Sequence, residues 1–139
     1  MNPAAVDHEA EPKARTNADG PGPDIRPRPV NVDAQRDDPR SLLTLYRRLL
    51  ALRRAEPALA VGPFAALRAP GDLLAWVRKD ADRRYLVVLN LGSEPATYAP
   101  PVLDISGEIV LSTHLDREGE LVRRGLELRG DEGLLVRLT

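Results

Sequence analysis

The 139-residue sequence contains no cysteine, which excludes a disulfide framework, a thiolate nucleophile and a Cys-ligated zinc. Its histidines, His8 and His114, are two in number and far apart, too few for an all-protein metal site, and no cofactor is expected. Charge of one sign is lacking too. With 20 Lys+Arg against 21 Asp+Glu the formal net charge is −1, which leaves no electrostatic footprint for nucleic acid. No apolar run approaches the ~18 residues of a membrane span. The N-terminal stretch lacks the apolar block of a signal peptide, so a soluble, cytoplasmic chain without membrane contact is expected. The phosphate-binding patterns G-x-G-x-x-G and G-x-x-x-x-G-K-[ST] are absent, as is the nucleophile pattern Gly-x-Ser-x-Gly.

What is present divides near residue 38. Before it the large apolar residues are Met1, Val6, Ile25, Val30 and Val32, while Pro21, Pro23, Pro27 and Pro29 crowd together. Such a segment buries too little apolar surface to offset its ordering entropy, and residues 1–37 are expected to form a disordered or extended Pro-rich arm. His8 falls in it and is assigned no role.

A helix is expected over 38–57. Asp38 suits the N-cap, Pro39 the first helical position, and Glu56-Pro57 closes the segment. Leu42, Leu45, Leu49 and Leu52 recur at three- and four-residue spacing, and Leu43, Tyr46 and Leu50 widen the stripe beyond what an isolated helix needs. Its arginines read as a solvated face, with Arg53 and Arg54 in the last turn where the helix dipole favours cations.

After Pro57 the apolar period becomes two. Short runs at Phe64–Arg68, Leu73–Lys79, Tyr85–Leu91, Glu108–Ser112, Glu120–Arg123 and Leu134–Leu138 are separated by Gly, Pro or Asp. The predicted fold is mostly β over 58–139: an antiparallel, Greek-key-like β-sandwich of six to eight strands, preceded by the one amphipathic helix.

Each candidate chemistry has a plainer explanation. Asp80 with Asp82, and Asp116 with Glu118 and Glu120, offer carboxylates, but glycoside hydrolysis needs two of them about 5 to 9.5 Å apart across a cleft with their pKa values pushed apart. Both groups lie at turns between strands, where turn-forming roles are expected. Ser112, His114 and Asp116 supply the residue types of a hydrolytic triad without a strained nucleophile turn. No catalytic residue is assigned. Trp76, Tyr85 and Tyr98 could form an aromatic platform that stacks on an α-glucoside ring, although Trp76 and Tyr85 lie in the most apolar runs, where aromatics fill cores.

The order of the elements carries more. Residues 31–43, followed by LYRRLLALRRAEPAL, resemble the final barrel helix of α-glucosidases in the α-amylase superfamily of glycoside hydrolases. Gly71–Arg78, Tyr85–Leu91, VLSTHLDREGE and DEGLLVRL are similar, in matching order, to the C-terminal antiparallel β-domain of the same enzymes, particularly the oligo-1,6-glucosidase-like branch. In that family a (β/α)8 barrel carries an aspartate nucleophile, a glutamate acid/base and a stabilising aspartate on loops at the strand ends. Those motifs have no counterpart here. The resemblance implies a noncatalytic, truncated or orphaned C-terminal module that caps a catalytic barrel, supplied in cis in a longer parent or in trans. The stripe of Leu42, Leu43, Tyr46, Leu49 and Leu50 would then contact the barrel, or another copy through self-association. The alternative is a stand-alone carbohydrate-binding β-sandwich.

Overall fold

The computed structural model describes residues 32–139; His8 and the first 31 positions of the expected arm lie outside the described residues. Within the remainder of the expected arm, Val32–Arg36 form a short helix, α1. It is tied to the next helix by Ser41 Oγ donating to Gln35 O at 2.8 Å and Leu43 N donating to Gln35 Oε1 at 3.0 Å.

Helix α2 spans Leu42–Ala55. It starts three residues later than the Asp38-Pro39 signal suggested. Ser41 is the N-cap, its hydroxyl accepting from Thr44 N at 3.2 Å. Asp38 turns its carboxylate on Arg40 N at 2.8 Å and so shapes the preceding turn. Glu56 ends α2 with extended backbone, as a residue before proline must, and Pro57 opens the four-residue helix α3, Pro57–Ala60.

Eight strands follow: β1 (Phe64–Leu67), β2 (Leu73–Lys79), β3 (Arg84–Asn90), β4 (Ala96–Tyr98), β5 (Ser106–Ser112), β6 (Leu121–Arg123), β7 (Leu126–Leu128) and β8 (Gly133–Leu138). Six of them form one antiparallel sheet in the order β1-β2-β3-β8-β5-β6, and β4 pairs with β7 in a two-stranded sheet. The fold is therefore mostly β, and the crossover that sets β8 between β3 and β5 gives it the Greek-key character expected. β4 and β7, three residues each, are additional to the six expected runs.

Alternation along the central strands sorts their residues into two cores. On one face Leu86, Val88, Leu134, Val136 and Ile109 meet Tyr98, Leu126 and Leu128 of the small sheet. On the other, Tyr85, Leu111 and Leu135 meet Ala58 and Leu59 of α3, with Leu45 and Leu52 of α2 packed against them. A β-bulge lets β5 serve both. Ile109 opposes Val136, yet Leu111 opposes Leu135, so the extra residue Val110 turns Ile109 and Leu111 to opposite faces where regular alternation would place them together. Gly107 is required on the same strand, since a Cβ there would lie 2.1 Å from the Arg137 carbonyl oxygen.

Candidate functional site: an apolar groove beside helix α2

None of the 14 residues of α2 is buried, although half of them are Leu or Tyr. Leu45 and Leu52 lean on the sheet. Leu42, Tyr46 and Leu49 are 71%, 58% and 45% exposed, and Leu43 and Leu50 are half-buried. Of the five stripe residues singled out in the sequence, Leu42, Tyr46 and Leu49 thus lie open along the helix and Leu43 and Leu50 are partly covered.

Between α2 and the sheet runs a groove of about 380 Å³, lined by Leu45, Leu49 and Arg53 of α2 and by Trp76, Arg78, Val87 and Leu89 of the sheet. Strand alternation places these sheet residues on the helix-side face. Trp76 extends the apolar surface outward to Phe64, the two ring centroids lying 6.0 Å apart. Arg78 donates from Nη2 to Gly62 O at 2.9 Å, while its Nε is buried without a hydrogen-bond partner.

The three aromatics do not converge. Tyr85 belongs to the helix-side core and Tyr98 to the opposite one, and each is 1% exposed; Trp76 alone is partly open. Burial raises the Tyr85 pKa, and its hydroxyl is engaged with Glu56 and Arg83. Burial opposes ionisation of Glu56 as well, but hydrogen bonds from Tyr85 and Arg83 and the Arg83 charge outweigh it, so that the Glu56 pKa is lowered. Tyr98 donates to Arg68 O at 3.3 Å, and burial raises its pKa.

The turn carboxylates do what turn residues do. Asp80 accepts from Asp82 N at 2.9 Å and Arg83 N at 2.8 Å, and these two N–H groups lower its pKa. Ser112 is fully buried, donates to Asp116 at 3.4 Å and accepts from the backbone N–H of His114 at 3.1 Å. Asp116 faces Arg129, at 2.7 Å from Nη2 and 2.9 Å from Nη1, and that guanidinium holds its pKa at about 2. These residues close a turn and do not form a nucleophile, base and orienter relay.

The sequence reading missed Glu132, whose side chain is completely buried. It accepts from Arg129 Nη2 at 2.5 Å, Arg129 N at 2.8 Å and Arg117 Nη1 at 3.1 Å, and Arg117 also grips Glu120 at 2.8 Å. Burial favours the neutral form of Glu132, yet the Arg129 bonds and the Arg117 charge prevail and lower its pKa. The one available signal was a charged residue inside the run DEGLLVRL next to an apolar strand. Among the described residues no group of three His, Asp or Glu is placed to hold a metal ion, and no helix is long and apolar enough to cross a membrane.

Comparison with known proteins decides the relationship. A probable α-glucosidase of Rhizobium meliloti is 37% identical over 96 residues, covering 67% of this chain and 17% of its own length. The sequence is related to the C-terminal region of the α-amylase superfamily. The amino acid transporter heavy chain SLC3A2 of Mus musculus is 39% identical over 131 residues, covering 79% of this chain and 24% of its own length. The fold matches the crystal structure of the trehalulose synthase MutB from Pseudomonas mesoacidophila MX-45 with a TM-score of 0.71 at 24% identity, over 78% of this chain and 20% of that one. The chain therefore spans about a quarter or less of the length of each of these proteins. No family model matches the sequence.

Proposed function

We propose that this chain is a noncatalytic C-terminal module of an α-glucosidase-like glycoside hydrolase, which caps and stabilises a catalytic barrel. Residues 38–57 act as the last barrel helix and 58–139 as the C-terminal β-domain. The observation that carries the reading is α2: a Leu-rich helix with no buried residue, running beside an apolar groove, is a surface that gains stability when covered. The relatives support it. Their names cover an α-glucosidase and an amino acid transporter heavy chain, so what the shared region contributes need not be one chemistry.

The test supplies a barrel. The Rhizobium meliloti relative is shortened to remove the region matching this chain, and the 139-residue chain is added in trans. Co-elution and a raised melting temperature of the shortened enzyme are expected, with no hydrolysis of a chromogenic α-glucoside by the chain alone. Activity of the purified chain, or failure of the two to associate, would overturn the reading.

A second reading, a carbohydrate-binding module, keeps one observation: Trp76 is partly open beside Phe64. Saturable quenching of Trp76 fluorescence by maltose or isomaltose would support it, and its absence would remove it.

A further inference from the structure

The groove beside α2 is more than apolar. Among the described residues its lining includes two guanidinium groups, Arg53 and Arg78, and no carboxylate. Arg78 is half-buried, and the partner it holds is a neutral carbonyl, Gly62 O. Arg53 sits in the last turn of a helix whose 14 residues include four arginines and no acid. A partly desolvated cation without a counter-ion costs free energy that an incoming carboxylate recovers. A second copy of this chain fits poorly, since two α2 helices brought face to face would oppose arginine to arginine.

We propose that the groove receives a protein surface in which carboxylates flank apolar side chains, the apolar groups seating against Leu49, Trp76 and Leu89 and the carboxylates pairing with Arg53 and Arg78. This rests on the barrel-docking reading above and adds the chemistry that the docking surface of the barrel must present. The charge pairing sets register and partner choice, and the apolar contacts supply the area.

Trp76 is the single tryptophan of the sequence, so its emission reports on this groove. The probes are two amphipathic helical peptides with the same leucine stripe, one flanked by Glu and the other by Lys, titrated into the full chain. The Glu peptide is expected to shift Trp76 emission to the blue with saturation, at least about tenfold more tightly than the Lys peptide. The difference should shrink between ~0.1 M and ~1 M salt, as the screening length falls from ~10 to ~3 Å. Arg53→Glu leaves one cation, Arg78, against one carboxylate and should abolish the preference; Arg53 is exposed, so the melting temperature of the variant serves as the control for folding. Equal binding of both peptides, binding of neither, or indifference to Arg53→Glu would overturn the proposal, as would dimerisation of the chain at low salt with Trp76 shielded. If the shortened barrel captures the chain but Arg53→Glu has no effect, the charge pairing fails and docking stands. If the peptides discriminate but no barrel binds, docking fails and the chemistry of the groove stands.

Discussion

Arg129 holds the buried carboxylate of Glu132 twice from its guanidinium, at 2.5 Å through Nη2 and 3.1 Å through Nε. The two residues are three apart, at the entrance to β8. Arg117 arrives from the turn before β6 to complete the cage, so that one carboxylate fastens two loops distant in sequence.

Glu132→Ala should therefore cost about 3 kcal/mol. That is the low end of the range for breaking a buried pair, because Arg117 keeps Glu120 and Arg129 keeps Asp116 after the change. Urea unfolding followed by circular dichroism measures it. A loss under ~1 kcal/mol would show that the cage is inert.

The same carboxylates make stability depend on pH. The folded pKa of Asp116 is about 2 against an ordinary 3.8, and those of Glu120 and Glu132 are also lowered. Groups with lowered pKa values stabilise the fold fully above their unfolded values, and that stabilisation is lost as pH falls through the folded ones. The urea midpoint should stay level from neutral pH down to about 5 and fall progressively between about 4.5 and 2. Asp116→Asn should flatten the lower part of that fall.

Tyr98 tests whether a buried aromatic holds the fold or binds sugar. Tyr98→Ala should destabilise by roughly 3–5 kcal/mol through loss of core packing. Tyr98→Phe gives up one long hydrogen bond, to Arg68 O at 3.3 Å, and should cost no more than about 1 kcal/mol. Neither change should alter Trp76 fluorescence in the presence of maltose.

On α2 the expectation is inverted. Replacing Leu42, Tyr46 and Leu49 by Lys should leave the stability of the isolated chain within about 0.5 kcal/mol per site and improve its solubility, because these side chains are already open to water. The triple change should abolish association with the shortened barrel. Leu59→Ala, at a site 8% exposed, should instead cost about 2–3 kcal/mol.

The strands that build the large sheet were legible because alternation persists where a strand has a core on at least one face. Leu73–Lys79 was read to the residue, and β1, β3, β5, β6 and β8 within two positions at either end. The start of α2 was misread because Asp38-Pro39 is a good helix opening taken by itself. Ser41 prevails, with Thr44 three residues on to receive the cap and Gln35 before it to tie the turn. The exposed stripe was legible, since too many leucines on one helix need no partner residue to be counted. The cage around Glu132 was not. Arg117 and Glu132 lie 15 positions apart in turns, and neither local propensity nor period encodes which turn meets which.

The position of β8 has a consequence for how the domain comes into being. The last strand in chain order lies in the middle of the large sheet, with β3 on one side and β5 on the other. During synthesis the meander of β1, β2 and β3 and the pair of β5 and β6 emerge as separate pieces, each with an open edge awaiting the same strand. Neither edge can close until Gly133–Leu138 has emerged, so both parts of the sheet wait on these six residues. Until then the open edges of β3 and β5, both rich in apolar side chains, are the surfaces a chaperone would be called on to shield.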